Sequence, residues 1–291
     1  MKINQIRPQE TDFTEVLTHI AHAPELLHYY GKLPEKGVKT VGIVGSRHAT
    51  RYGIEVAKKI AFELTKRGVV VISGLAFGID AAAHTGAVEA GGPTVAILGT
   101  EIEKVYPRAN QALADKIIET GGAIMSEYQR GDLYDTRWSF LMRNRLISGL
   151  SDAVVIVEAA IKSGSLNTAA HALSQGKQVF AVPGNITNSF SQGCNKLIKQ
   201  GAEPVTGVGD VVDFFFPPEK KQRKKKEGQL LIFGDTEAET EVLRLIYEGV
   251  SDGDEIIEAT GMDMGEFNQT VTMLEIKGRI KGVGMNQWVA I

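Results

Sequence analysis

TVGIVGSRHATRYGIEVAKKIAFELTKRG, residues 40–68, decides the fold. Its opening, Thr40–Gly45, is apolar and β-branched almost without interruption, as expected of a strand buried on both faces. A short polar turn follows, and then a helical pattern over Tyr52–Arg67. Ile54, Ala57, Ile60, Ala61 and Leu64 fall on one side of it, Lys58, Lys59, Glu63 and Lys66 on the other, and Gly68 closes it. A buried strand, a glycine turn and an amphipathic helix form the first half of a βαβ unit.

The pattern then repeats. Val69–Ser73, Thr94–Leu98, Ala123–Ser126, Ala153–Val157 and Val179–Val182 read as further buried strands separated by helix-length stretches. Such alternation predicts an α/β fold, a Rossmann-like, doubly wound and mostly parallel sheet with crossover helices. It is assigned to residues 38–216. The 37 residues before it carry only a weak helical signal and read as a short N-terminal helical stub. Residues 217–228, PPEKKQRKKKEG, combine two prolines with a charge run and read as a basic linker. Beyond it, Glu237–Glu248, Asp252–Gly261 and Met264–Gly278 are helical patterns, and Arg279–Val283 and Gln287–Ile291 are strand-like. Three small helices and a hairpin predict a small winged-helix domain over residues 229–291.

At 291 residues and 43% hydrophobic content, the chain can bury one sizeable core and a smaller satellite. Cys194 is its only cysteine, which excludes an internal disulfide and an all-cysteine zinc site and fits a small core residue in a reducing compartment. The first twenty residues hold no apolar run of the length a signal peptide or membrane span requires, so a cytoplasmic location without membrane association is expected. The formal net charge of -3 conceals a division along the chain. Residues 1–216 hold 22 Lys and Arg against 21 Asp and Glu, residues 217–228 hold 6 against 2, and residues 229–291 hold 4 against 12. That excludes a globally basic, DNA-coating protein but leaves room for a local basic groove.

In an open α/β sheet ligands gather at the carboxyl ends of the strands, so the residues just past each strand carry the functional information. Gly45-Ser46-Arg47 follows the first strand and opens a helix; exposed amides and a guanidinium there suit phosphate. Ser73-Gly74 ends the second strand, where Asp80 is expected to cap the next helix and His84 to support it, bonded to Asp80 or to the first loop. Residues 137–145, RWSFLMRNR, hold Arg137, Phe140, Arg143, Asn144 and Arg145. Arginines interleaved with aromatics are what an unpaired strand needs; the alternative is a helix with core aromatics whose arginines pair with the nearby Asp152 and Glu158. Gly164-Ser165-Leu166-Asn167 opens another helix and makes a second anion cradle at the same edge.

Several stretches, in order and correctly spaced, resemble the DNA-processing protein A (DprA/Smf) family: VGIVGSRHATRYG (41–53), VISGLAFGIDAAAH (71–84), VAILGTEIEKVYPRAN (95–110), MSEY (125–128), RNRLISGLSDAVVIVEA (143–159), SGSLNTA (163–169), GKQVFAVPGN (176–185) and GCNKLIKQGA (193–202). The resemblance implies a single-stranded DNA binder that protects incoming DNA and loads a RecA-type recombinase during natural transformation, as a homodimer, without cofactor, metal or catalytic residue. It implies that Ser46, Arg47, Arg137, Phe140, Arg143, Asn144, Gly164, Ser165 and Asn167 line the DNA groove. Two departures stand out: only a stub occupies the place of the family's N-terminal helical domain, and Leu141 stands where the family often has proline. The cation-poor third helix of the tail disfavours major-groove binding and points to a protein partner.

An alternative is a nucleoside-monophosphate phosphoribohydrolase, whose motif PGGxGTxxE supplies a glutamate as acid/base residue. Aligned on Gly164-Ser165, that position is Thr168, which cannot act as a carboxylate. A dinucleotide-dependent oxidoreductase is disfavoured because strand one lacks GxGxxG. A pure interaction scaffold stays open, and salt-dependent oligonucleotide binding separates it from the leading reading.

Overall fold

The computed structural model describes residues 2–132, 134–217, 234–284 and 286–290, with the side chains of Thr136 and Arg137 set aside. It contains two compact units, residues 1–218 and 219–291. The basic stretch 217–228 lies outside the described residues except for Pro217.

The first unit is built on a nine-stranded sheet: β1 Asn4–Ile6, β2 Leu27–Gly31, β3 Thr40–Val44, β4 Val70–Ser73, β5 Thr94–Ile97, β6 Ala123–Ser126, β7 Ala153–Ile156, β8 Gln178–Ala181 and β9 Glu203–Pro204. Their spatial order is β1-β2-β6-β5-β4-β3-β7-β8-β9. From β6 to β9 all pairs are parallel, which bears out the doubly wound expectation. The helices are α1 Asp12–Glu15, α2 Arg51–Thr65, α3 Ile79–Glu89, α4 Gln111–Glu119, α5 Thr136–Gly149, α6 Ser165–Ser174, α7 Gln192–Lys199 and α8 Val208–Phe215. Among the described residues no helix is long and apolar enough to cross a membrane.

The N-terminal residues differ from expectation. The weak helical signal corresponds to short helical turns at Pro8–Glu10, Asp12–Glu15 and Val16–His19, but these stand between two strands the reading lacked: β2 joins the sheet antiparallel to β6, with His28 opposite Ser126, and β1 pairs antiparallel with β2. Strands of three and five residues are too short to show a period of two, and their stabilisation comes from an edge formed about a hundred residues later. Leu17 and Ile20 are buried in the same core as β4 to β7, and a Cβ at Gly149 would come within 2.8 Å of Leu17.

Helix α2 buries Ala57, Ile60, Ala61 and Leu64 as its pattern predicts, but Ile54 is exposed. Thr50 caps it, its hydroxyl accepting from Gly53 N–H at 3.2 Å, and Gly68 follows it at φ 81°. Cys194 is buried on α7 and its thiol points to the Ile156 carbonyl at 3.6 Å; burial pushes the thiol up to about 12, so it stays protonated and inert at neutral pH.

The second unit consists of α9 Glu237–Tyr247, α10 Gly253–Thr260 and α11 Met264–Ile276, followed by the antiparallel pair β10 Ile280–Gly284 and β11 Gln287–Ala290. This is the expected winged-helix architecture. Val242, Leu243, Ile246, Ile256, Phe267, Val271, Leu274 and Ile280 form its core, and Trp288 of the wing stands edge-on to Phe267 with centroids 5.3 Å apart. Thr236, Asp252 and Asp263 cap the three helices.

Candidate nucleic-acid interface

The strand order reverses between the parallel neighbours β3 and β7: β3 connects to β4 on one side and β7 to β8 on the other. Adjacent strands that lead their chains apart leave a crevice at their carboxyl ends. A cleft of about 440 Å³ lies there, and both glycine turns open into it. Its lining holds Gly45, Ser46, Arg47, Phe140, Arg143, Asn144, Gly164 and Ser165 of the residues predicted from sequence.

Glu158, two residues past β7, ties the loop that follows β7 to the first turn. Its backbone carbonyl accepts Ser46 N–H at 2.7 Å, its carboxyl Oε2 accepts Thr50 N–H at 2.8 Å, and Oε1 accepts the Thr50 hydroxyl at 2.6 Å. Only glycine permits this approach: a Cβ at Gly45 would lie 2.6 Å from Ile79 and 2.9 Å from the Glu158 carbonyl. The first turn therefore presents one amide fewer to a phosphate than its sequence implies, because Ser46 N–H is already bonded. On the second turn Asn144 Nδ2 donates to the Gly164 carbonyl and to Asn167 Oδ1, both at 3.2 Å, which fixes α5 against the start of α6.

Arg143 is buried rather than offered to solvent. Its Nη1 donates to the Gly74 carbonyl at 2.8 Å and to the Ile97 carbonyl, so it ties together the carboxyl ends of β4 and β5. Burial lowers its pKa to about 10, with Asp80 opposing, and it keeps its charge at neutral pH. Gly74 lies beneath the cleft: a Cβ there would come within 2.1 Å of the guanidinium. Asp80 does not cap α3, which Gly78 precedes; it accepts Gly74 N–H at 3.2 Å, and burial raises its carboxyl while Arg143 pulls it down. His84 bonds neither Asp80 nor the first loop. Its Nδ1 lies 2.8 Å from the Thr94 hydroxyl, which itself donates to the Val71 carbonyl, so the network assigns the proton to Nδ1. Burial, reinforced by the Arg143 charge, holds the imidazole at about 3.

The alternative pairing with Asp152 and Glu158 is not made by Arg143 or Arg145. Asp152 accepts Thr40 N–H at 2.8 Å, and Glu158 is bonded to Thr50. Arg145 turns away from the cleft into a buried pair with Glu127 at 2.6 Å, where burial raises the carboxyl and Arg145 lowers it. Leu166 packs on the hydrophobic core, and Asn167 supports the turn from behind through Asn144. Arg137 belongs to α5, and its side chain is outside the described residues.

Arg47 is exposed and lies over the Phe140 ring, 5.2 Å from its centroid. It pairs with no carboxylate among the described residues. Sequence reasoning missed Lys162, His48 and Phe190, which share the lining. Lys162 had a signal, since it stands two residues before Gly164; Phe190 had none, because only the fold brings the loop after β8 to this cleft.

A Rossmann-like sheet with its crevice at the switch point, carried in one chain with a winged-helix unit, defines the class of protein. The family model of DNA recombination-mediator protein A matches residues 4–216, and that of the DprA winged helix domain matches residues 231–284. The chain belongs to the DNA-processing protein A family. It is 41% identical to the DNA processing protein DprA of Streptococcus pneumoniae over 199 residues, covering 68% of this chain and 70% of the relative. The putative DNA processing protein DprA of Mycobacterium tuberculosis is 38% identical over 260 residues, 88% of this chain and 66%, just under two thirds, of that one. Protein Smf of Escherichia coli is 42% identical over 190 residues, which span half of its length. The X-ray structure of the pneumococcal protein superposes with a TM-score of 0.66 at 38% identity, covering 73% of this chain and 74% of that one. A Helicobacter pylori DNA processing protein A, from work on its single-stranded DNA binding mode, gives 0.63 at 28% identity, covering 74% and 96%.

Proposed function

We propose that this chain binds single-stranded DNA along the carboxyl edge of its sheet, protects incoming DNA and loads a RecA-type recombinase during natural transformation, acting as a cytoplasmic homodimer without catalysis. The observation that carries the reading is the convergence of two glycine turns on one cleft at the β3/β7 switch, with the exposed Arg47 laid on the Phe140 ring. Cations beside flat apolar faces match an unpaired strand, whose phosphates and bases are accessible together. The single-stranded DNA binding of the Helicobacter relative supports the same ligand. In this assignment Gly45, Ser46, Arg47, Gly164 and Ser165 meet phosphate, Phe140 meets a base, and Arg143 and Asn144 hold the walls. The lining supports binding over hydrolysis: Thr168 stands where the phosphoribohydrolase motif has its glutamate, and the Asp80 carboxyl is bonded to Gly74 N–H.

The acidic winged-helix unit, with Met273 and Ile276 of α11 exposed, suits a protein partner better than a duplex. The deciding experiment is a fluorescence-anisotropy titration of single- and double-stranded oligonucleotides across a salt series. The parent is expected to prefer the single strand. Arg47→Ala should weaken binding by about 1.5–3 kcal/mol, as for a charge-assisted contact, and lower the salt slope by roughly 0.7 for each phosphate that Arg47 neutralises. Equal affinity for single strand and duplex, or an unchanged slope in the variant, refutes the assignment.

A further inference from the structure

The Phe140 ring has two neighbours. Arg47 lies on it from the cleft side, and Tyr106, on the loop after β5, meets it with centroids 5.8 Å apart and planes inclined by 50°. Phe140 reaches this position because the end of β5 continues into Gly99, where a Cβ would stand 2.6 Å from the phenyl Cδ1. Tyr106 itself is 48% exposed. A half-exposed aromatic on a braced loop is the unexplained feature: the Thr100 hydroxyl donates to the Lys104 carbonyl at 2.7 Å, Ile102 N–H donates to the Tyr128 carbonyl at 2.8 Å, and Asn110 Nδ2 donates to the Leu75 carbonyl at 2.8 Å. The loop is thus held at both ends, which lowers the cost of ordering its backbone on binding.

Resting on the proposed single-strand reading, we infer that Tyr106 is a second base-stacking residue, and that Arg47, Phe140 and Tyr106 form one continuous ledge carrying the strand out of the switch-point cleft toward the end of β5. The alternation supports this path. A guanidinium between the cleft and the first ring suits the sugar-phosphate chain as it leaves the turns, and the tilt between the rings leaves a face of Tyr106 to solvent for a following base. Stacking is sequence-tolerant, so the ledge adds affinity for any unpaired base and none for a paired one.

The test compares Tyr106→Ala and Tyr106→Phe with the parent on oligo(dT) and on an abasic oligomer of equal length and charge. Tyr106→Ala is expected to raise Kd for oligo(dT) roughly 5- to 10-fold or more, the range of one base stacked on an aromatic ring, while Tyr106→Phe stays close to the parent. On the abasic oligomer the three proteins should agree. In the unmodified protein, photocrosslinking of a 5-iododeoxyuridine oligomer followed by peptide mapping should reach Tyr106, a readout independent of how Tyr106→Ala folds. If the parent binds oligo(dT) and Arg47→Ala weakens it, yet Tyr106→Ala binds like the parent or crosslinks avoid Tyr106, the ledge is overturned and the cleft assignment stands. If the parent itself ignores oligo(dT), the functional reading fails first.

Discussion

Replacing Glu158 tests whether the first glycine turn is held in place by the loop that follows β7. Its side chain makes the 2.8 Å and 2.6 Å bonds to Thr50, and its carbonyl holds Ser46 N–H at 2.7 Å. The alanine variant keeps the backbone bond but loses both side-chain bonds and leaves a buried void. Hydrogen bonds to a charged acceptor contribute about 1.5–3 kcal/mol each; since Thr50 is only half-buried and water can replace part of the loss, a total of about 2–4 kcal/mol is expected. Glutamine can accept Thr50 N–H through its oxygen and donate to the hydroxyl through its amide, so Glu158→Gln should lose only about 1 kcal/mol. Hydrogen exchange read by mass spectrometry over the peptide containing Ser46 and Thr50 reports this locally. Glu158→Ala should exchange there about 30-fold faster or more, the factor that corresponds to about 2 kcal/mol. Oligo(dT) affinity should fall in parallel although Glu158 touches no phosphate in the proposed site. Parent-like exchange in the alanine variant would refute the hold of Glu158 on the first turn, and faster exchange with unchanged affinity would refute the part of that turn in binding.

His84 makes the first unit sensitive to acid. Its folded pKa, about 3, lies below the usual 6.5, so its contribution is fully present above pH 6.5 and is lost as pH falls toward 3. The loss amounts to about 1.4 kcal/mol per pH unit within that window; denaturant melts of the His84→Gln variant should show a shallower acid limb, and an identical limb would contradict this. For the Arg145–Glu127 pair, Glu127→Ala strands a buried guanidinium and should destabilise by about 3–5 kcal/mol. Arg145→Met should leave the salt slope of DNA binding at the parent value, because the charge it removes does not face the cleft; a lower slope would return Arg145 to the DNA.

The strands from Thr40 to Val182, their parallel pairing and the winged helix are legible in the sequence because each is written in local periodicity: near-continuous β-branched runs for strands buried on both faces, and a 3.6-residue period for the covering helices. The two glycine turns are legible for a related reason, since each falls in the connection between a strand and a helix pattern at the carboxyl edge of the sheet. Tertiary structure alone decides which charges remain available. Arg47, Arg143 and Arg145 are alike in sequence, yet one is exposed on a ring, one is hydrogen-bonded to carbonyls at the ends of two strands, and one is buried against Glu127. Burial depends on what packs opposite, and the residues opposite Arg143 and Arg145 stand at the ends of β4, β5 and β6, outside the helix that carries both arginines. The same holds for the first 37 residues, whose short strands acquire their conformation from an edge that forms only when β6 is in place. Local sequence encodes the elements because backbone preference and apolar period are local; the fate of a charge is set by the dielectric and the partners around it, which are not.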